Sequence, residues 1–116
     1  MKTDNIILDE SYNFALDIIQ LHMYLTKELN EYTLFTQLLR SGTSIGANVE
    51  EAIGGISRKD FRAKMSIAYR EARETHYWLR LLIDSKIVSP EKGAPLINEC
   101  EELRKILSSI LKTLNS

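Results

Sequence analysis

The sequence predicts an all-α fold: an antiparallel up-down-up-down four-helix bundle, with residues 1–116 as one domain. Three observations predict it. Apolar residues recur with 3-4 spacing in four separate segments, none of these segments alternates as a strand would, and the breaks between them are short. Short connections make sequential helices antiparallel neighbours. The composition fits one soluble core, with 44% hydrophobic and 27% charged residues, two prolines and five glycines.

The first helix is expected over about 9–29. Ala15, Ile18, His22, Leu25 and Leu29 set its stripe, Phe14 and Leu21 widen it, and Asp9 or Ser11 is the expected cap. The second is expected over 33–53, along the seam Leu34, Leu38, Ser41, Ile45, Asn48, Ala52, with Gly54-Gly55 ending it. Gly42 and Gly46 lie inside this helix, where each costs about 1 kcal/mol relative to alanine. Close approach of a neighbouring helix offsets such a cost. Ser41 and Asn48 are polar residues in the seam and are expected to fix the bundle register by bonding to helix backbone or to charged partners.

The third helix is expected over about 58–86, capped by Ser57 with Asp60 at its third position. It has three faces. Phe61, Met65, Ala68, Ala72, Leu79 and Ile83 are expected to face the core. Arg58, Arg62, Tyr69, Arg73, Tyr77 and Arg80 fall together on a second, basic face. Ile67, Trp78 and Leu81 form a surplus apolar strip that one core does not need, so they are the expected subunit interface. Ser89-Pro90-Glu91 opens the fourth helix, expected over about 90–113, although Pro95 predicts a frayed first turn or a start near Ala94. Its seam is Leu96, Cys100, Leu103, Leu107, Ile110, Leu114.

No apolar run approaches the roughly 20 residues of a membrane span. The start, Met1-Lys2-Thr3-Asp4-Asn5, lacks the pattern of a signal peptide, and the single Cys100 fits a reducing compartment, so a cytoplasmic protein is expected. The net charge of −1 conceals an asymmetry. Residues 1–56 carry three Lys/Arg against eight Asp/Glu, whereas residues 57–88 carry eight against four.

Catalytic and metal chemistry find little support. A di-metal bundle site needs Glu-x-x-His on two helices, and neither His22 nor His76 has an acid at the third position before it. Cys100 sits in an apolar seam and reads as a core filler, and Ser41 and Ser44 have no histidine nearby in sequence. A helix-turn-helix around Gly42 is disfavoured because the seam continues through the turn and the following residues carry Glu50 and Glu51. Neither an enzyme nor a cofactor is expected. The basic face, in contrast, interleaves arginines with tyrosines, a mixture suited to phosphate contacts and base stacking. The competing reading pairs those arginines with acids of the first two helices, such as Glu50 and Glu51.

Arg40-Ser41-Gly42-Thr43-Ser44-Ile45-Gly46-Ala47-Asn48-Val49-Glu50-Glu51-Ala52, followed by Phe61, Lys64, Ile67-Ala68, Glu71-Ala72, Glu74-Thr75 and Tyr77-Trp78-Leu79, resembles the bacterial four-helix bundle proteins encoded by intervening sequences within 23S ribosomal RNA genes. The likeness covers most of the chain, the first and fourth helices matching only in length and pattern. It implies a four-helix bundle assembling as a homopentamer with no enzymatic activity attached. A related branch, the accessory proteins of diversity-generating retroelements, implies binding of RNA and a ribonucleoprotein partner through basic surfaces. Two functions follow as expectations: an RNA-associated oligomer using the basic face, or a purely structural protein–protein assembly module.

Overall fold

Four long helices form because four apolar stripes need a common interior. In the computed structural model, which describes residues 2–30 and 32–115, α1 spans Lys2–Glu28, α2 Thr33–Ile53, α3 Arg58–Asp84 and α4 Pro90–Asn115. No strand occurs among the described residues. The molecule measures 44 × 20 × 19 Å. A helix of 26 or 27 residues is about 40 Å long at 1.5 Å per residue, so each runs the length of the bundle.

The second helix has the expected bounds, and the other three depart from expectation in physically simple ways. The first begins at Lys2, so Asp9 and Ser11 lie inside it and cap nothing. Its buried stripe is Ile7, Ser11, Phe14, Ile18, Leu21 and Leu25, while Ala15 and His22 sit at the margin and Leu29 is exposed. The Ser11 hydroxyl donates to the Leu8 carbonyl at 3.3 Å. The third helix starts as expected, with the Ser57 side chain accepting from the Asp60 N–H. It stops at Asp84 because Lys86 turns into the left-handed region, at φ 65°. Ile87 N–H then bonds back to the Leu82 carbonyl and Lys86 N–H to the Ile83 carbonyl, the paired closure of a Schellman motif. Leu82 is fully buried and Ile83 only half-buried, so the core face is rotated slightly from the sequence expectation. The fourth helix passes through Pro95 without fraying. The carbonyl deprived of its donor belongs to Glu91, an exposed residue that water can satisfy.

The helices neighbour one another in a closed cycle, α1 with α2, α2 with α3, α3 with α4 and α4 with α1, and among the described residues the backbones of the diagonal pairs stay apart. A Cβ added at Gly42 would meet two Ile18 side-chain carbons at 2.9 Å, and one at Gly46 would meet the Ser11 carbonyl oxygen at 3.3 Å. The close approach that the two glycines predict is therefore made by α1. On the opposite side of α2, Ser41 is fully buried and its Oγ lies 2.8 Å from Thr75 Oγ1 of α3. Asn48 is half-buried, with Nδ2 donating to the Ser44 carbonyl at 2.8 Å. Among the described residues both seam residues thus engage hydroxyl or backbone groups.

Candidate nucleic-acid interface

The arginines of the expected basic stripe, Arg58, Arg62, Arg73 and Arg80, lie on the side of α3 toward α4, and the structure divides them into two groups. Arg58 and Arg62 each donate to the Leu114 carbonyl, at 3.2 and 3.3 Å. Two cations there complement the negative end of the α4 dipole and tie its last turn to the start of α3. Their work is at least partly structural. Tyr69 is half-buried against the core, which leaves Arg73, Tyr77 and Arg80 as the outward members of the stripe. Among the described residues no carboxylate lies within ion-pair distance of Arg73 or Arg80. Glu51, a candidate partner for these arginines, instead takes Lys64 at 3.1 Å.

The outward group borders an open cleft of about 740 Å³ between α3 and α4. The fourth helix adds Arg104 and Glu101 to it, and α3 adds His76. Tyr77 is 48% exposed and stands edge-on to Trp78, with ring centroids 5.3 Å apart and planes at 61°. The Arg80 guanidinium lies 5.7 Å from the Tyr77 ring centroid, within cation–π range. A flat ring beside guanidinium groups is the arrangement that stacks a base while neighbouring cations hold phosphates.

Two acids line this cleft, Glu74, which pairs with Arg40, and Glu101. Glu101 accepts from Arg104 Nε at 3.0 Å and from the same guanidinium's NH2, and its other oxygen lies 3.3 Å from His76 Nε2. The Arg104 hydrogen bond holds the Glu101 carboxyl below its ordinary range, and Glu101 in turn raises the Arg104 pKa. Burial pushes the His76 pKa down, assisted by the charge of Arg80, against the opposing pull of Glu101. The charged form of His76 is thereby disfavoured, and the permanent cations of the cleft are its arginines.

The opposite flank has the reverse character. Glu10, Glu99 and Glu102 line a groove between α1 and α4. Burial, together with a hydrogen bond to Asp17, pushes Glu99 up to about 7. Among the described residues no group of three or more His, Cys, Asp or Glu is placed to hold a metal ion. Cys100 is buried, its thiol donating to the Ala72 carbonyl at 3.2 Å, and burial raises its pKa to about 12. Burial thus favours the protonated thiol, which packs in the α3–α4 contact.

The surplus strip of α3 is less exposed than its sequence suggests. Trp78 is half-buried against the core, its Nε1 donating to Glu74 Oε2 at 2.9 Å. Ile67 is half-buried and Leu81 38% exposed. Arg40 of α2 covers the edge of the strip by pairing with Glu71 at 3.1 Å and with Glu74. Sequence reasoning finds the α3 members of the cleft but misses Arg104, Glu101 and the inward turn of His76. Only the packing of α4 on α3 brings those together, and no spacing within one helix encodes it.

Comparison with known proteins agrees with this architecture. Residues 3–109 match the family described as 23S rRNA-intervening sequence protein. A crystal structure of a protein of unknown function from the S23 ribosomal protein family of Bacteroides thetaiotaomicron is similar at a TM-score of 0.91 and 44% identity, covering 95% of this chain and 98% of that one. No curated protein matches the chain.

Proposed function

Because the chain belongs to the 23S rRNA-intervening sequence protein family, we propose that it is a non-enzymatic, RNA-associated oligomer working in the cytoplasm. Its subunit is an up-down-up-down bundle and its assembly a homopentamer, the state that the family resemblance implies. Residue pairs across the α1–α2 and α2–α3 contacts support the antiparallel sense. Gly42 approaches Ile18 while Gly46 approaches Ser11, and Arg40 reaches Glu71 while Glu51 reaches Lys64.

The observation that carries the RNA reading is the α3–α4 cleft, where Arg73, Arg80 and Arg104 surround the exposed ring of Tyr77. Each subunit would bind a phosphodiester weakly. A symmetric oligomer repeats the cleft, and repetition raises affinity for a long polyanion through effective concentration. Phosphate contacts position without reading bases, so little sequence preference follows.

Gel shift and sedimentation on one variant test the proposal. Arg73→Glu with Arg80→Glu is expected to abolish binding to a single-stranded RNA at low salt while leaving the oligomer intact. A wild type that binds no RNA at low salt, with a double variant that dissociates, would favour the purely structural assembly module. Arg62 is unsuited to this test because its guanidinium holds the end of α4.

A further inference from the structure

The first helix carries an apolar surface that the bundle does not use. Tyr12 is 62% exposed, Leu16 45%, Ile19 37% and Met23 60%. Their 4-3-4 spacing places them along one line of α1, on the side away from Ile7, Phe14, Ile18 and Leu25 of the core. Beside the line, between α1 and α2, lies a mainly apolar groove of about 340 Å³ whose walls include Leu8, Ala15, Thr43 and Ala47. Four large apolar side chains in one row, next to a groove walled by small ones, form a contiguous patch of the kind that marks an association surface.

We propose that this α1 stripe receives the Ile67–Leu81 strip of a second copy of the same chain, so that subunits join head to tail. The inference rests on the assembly reading above and adds the pair of faces that meet. Two observations select a second copy, and select head-to-tail over face-to-face. The two apolar strips lie on α1 and α3, a diagonal pair whose backbones stay apart, so a single self-complementary contact would cover one strip and leave the other in water. Charge is complementary as well. Exposed Asp9 and Glu50 flank the Tyr12 end of the α1 stripe, and exposed Arg70 stands one turn from Ile67, while Glu71 and Glu74, the acids between Ile67 and Leu81, are held by Arg40. These local charges follow the whole chain, where the segment holding α1 and α2 has eight acids against three bases and the segment holding α3 has the opposite excess.

A heterologous contact of this kind closes into a ring or extends as a filament. It also leaves the α3–α4 cleft open, because Ile67 and Leu81 lie on the α2 side of α3 and the cleft lies on the α4 side. Assembly and RNA binding then use different faces of one helix.

The test uses two full-length variants, Leu16→Glu/Ile19→Glu on the α1 stripe and Ile67→Glu/Leu81→Glu on the α3 strip, each checked for retained helicity by circular dichroism. Sedimentation is expected to show wild type as an oligomer and each variant alone at the single-chain mass of 13.3 kDa. Mixed at equal concentration, the two variants are expected to form a pair of twice that mass, because each keeps the half-interface that the other has lost. A pair that fails to form, or an α1 variant that keeps the wild-type mass, overturns the assignment of faces. A wild type that is monomeric at micromolar concentration overturns the assembly reading itself.

Discussion

Ser41 of α2 and Thr75 of α3 place their hydroxyl oxygens 2.8 Å apart, both side chains fully buried where the two helices meet. Each hydroxyl has one proton. Thr75 Oγ1 is also 2.8 Å from the Glu71 carbonyl, whereas Ser41 Oγ is 3.4 Å from the Leu38 carbonyl. The shorter chain therefore runs from the Ser41 hydroxyl to Thr75 and from Thr75 to the Glu71 backbone. It is one buried polar point of contact between α2 and α3, beside the more exposed pairs of Arg40 with Glu71 and Glu74 and of Lys64 with Glu51.

Removing that point leaves a buried hydroxyl with poorer partners. Thr75→Val is expected to lower stability by about 1–2 kcal/mol. Ser41→Ala in the Thr75→Val background is expected to cost much less than Ser41→Ala alone. Urea midpoints of the two single variants and the double variant check the coupling. Additive effects would mean that the two hydroxyls act independently.

Gly42→Ala tests the close approach of α1. Alanine improves helix propensity by about 1 kcal/mol, but its Cβ meets β-branched Ile18 at 2.9 Å inside the core. Overpacking of this kind typically costs about 1–3 kcal/mol, so a net loss of stability is expected in thermal melts. Gly54→Ala is the control. Its nearest neighbour would be the Glu50 carbonyl oxygen at 3.5 Å, an ordinary contact, so no comparable loss is expected.

Lys86 occupies the left-handed C′ position of the α3 terminus, where an L side chain costs about 1–2 kcal/mol. Lys86→Gly removes that strain and gives up part of the gain to the greater freedom of the unfolded chain. A net stabilisation of about 0.5–1 kcal/mol is expected, read as a raised denaturation midpoint. A lowered midpoint would show that the lysine side chain contributes more than its backbone strain costs.

The acidic groove between α1 and α4 sets a pH dependence. The folded state holds the Glu99 proton up to about pH 7, against an ordinary value of 4.5. The stability that this contributes is fully present below 4.5 and is lost as pH rises through about 7. Glu99→Gln removes the ionisable group. Its melting temperature relative to wild type is expected to rise between about pH 5 and about pH 8. A constant difference across that range would show that Glu99 titrates as an exposed acid.

Much of this architecture is legible in the sequence because it is written in single-helix periods. The ends of the second helix, the seam members Leu38, Ser41, Ile45 and Ala52, and the purpose of Gly42 and Gly46 follow from spacing and from the cost of glycine, whereas Phe35 and Val49 take the buried places expected of Leu34 and Asn48, which are half-buried. The first helix is harder. Tyr12, Leu16, Ile19 and Met23 are as regular as the residues that reach the core, so hydrophobicity alone places its stripe partly in the wrong phase. Burial against α2 and α4 decides between the two. The cleft divides in the same way: Arg73, Tyr77 and Arg80 can be read from α3, but the tie of Arg58 and Arg62 to Leu114 and the arrival of Arg104 depend on how α4 lies.

The salt dependence of RNA binding tests the central claim most directly. Fluorescence anisotropy of a labelled single-stranded RNA would be followed from about 50 to about 200 mM salt. Three phosphates held by Arg73, Arg80 and Arg104 of one subunit predict a slope of log affinity on log salt of about −2, and steeper where several subunits engage one strand. Absence of binding at the lowest salt, or an affinity that does not change across the range, would contradict the account.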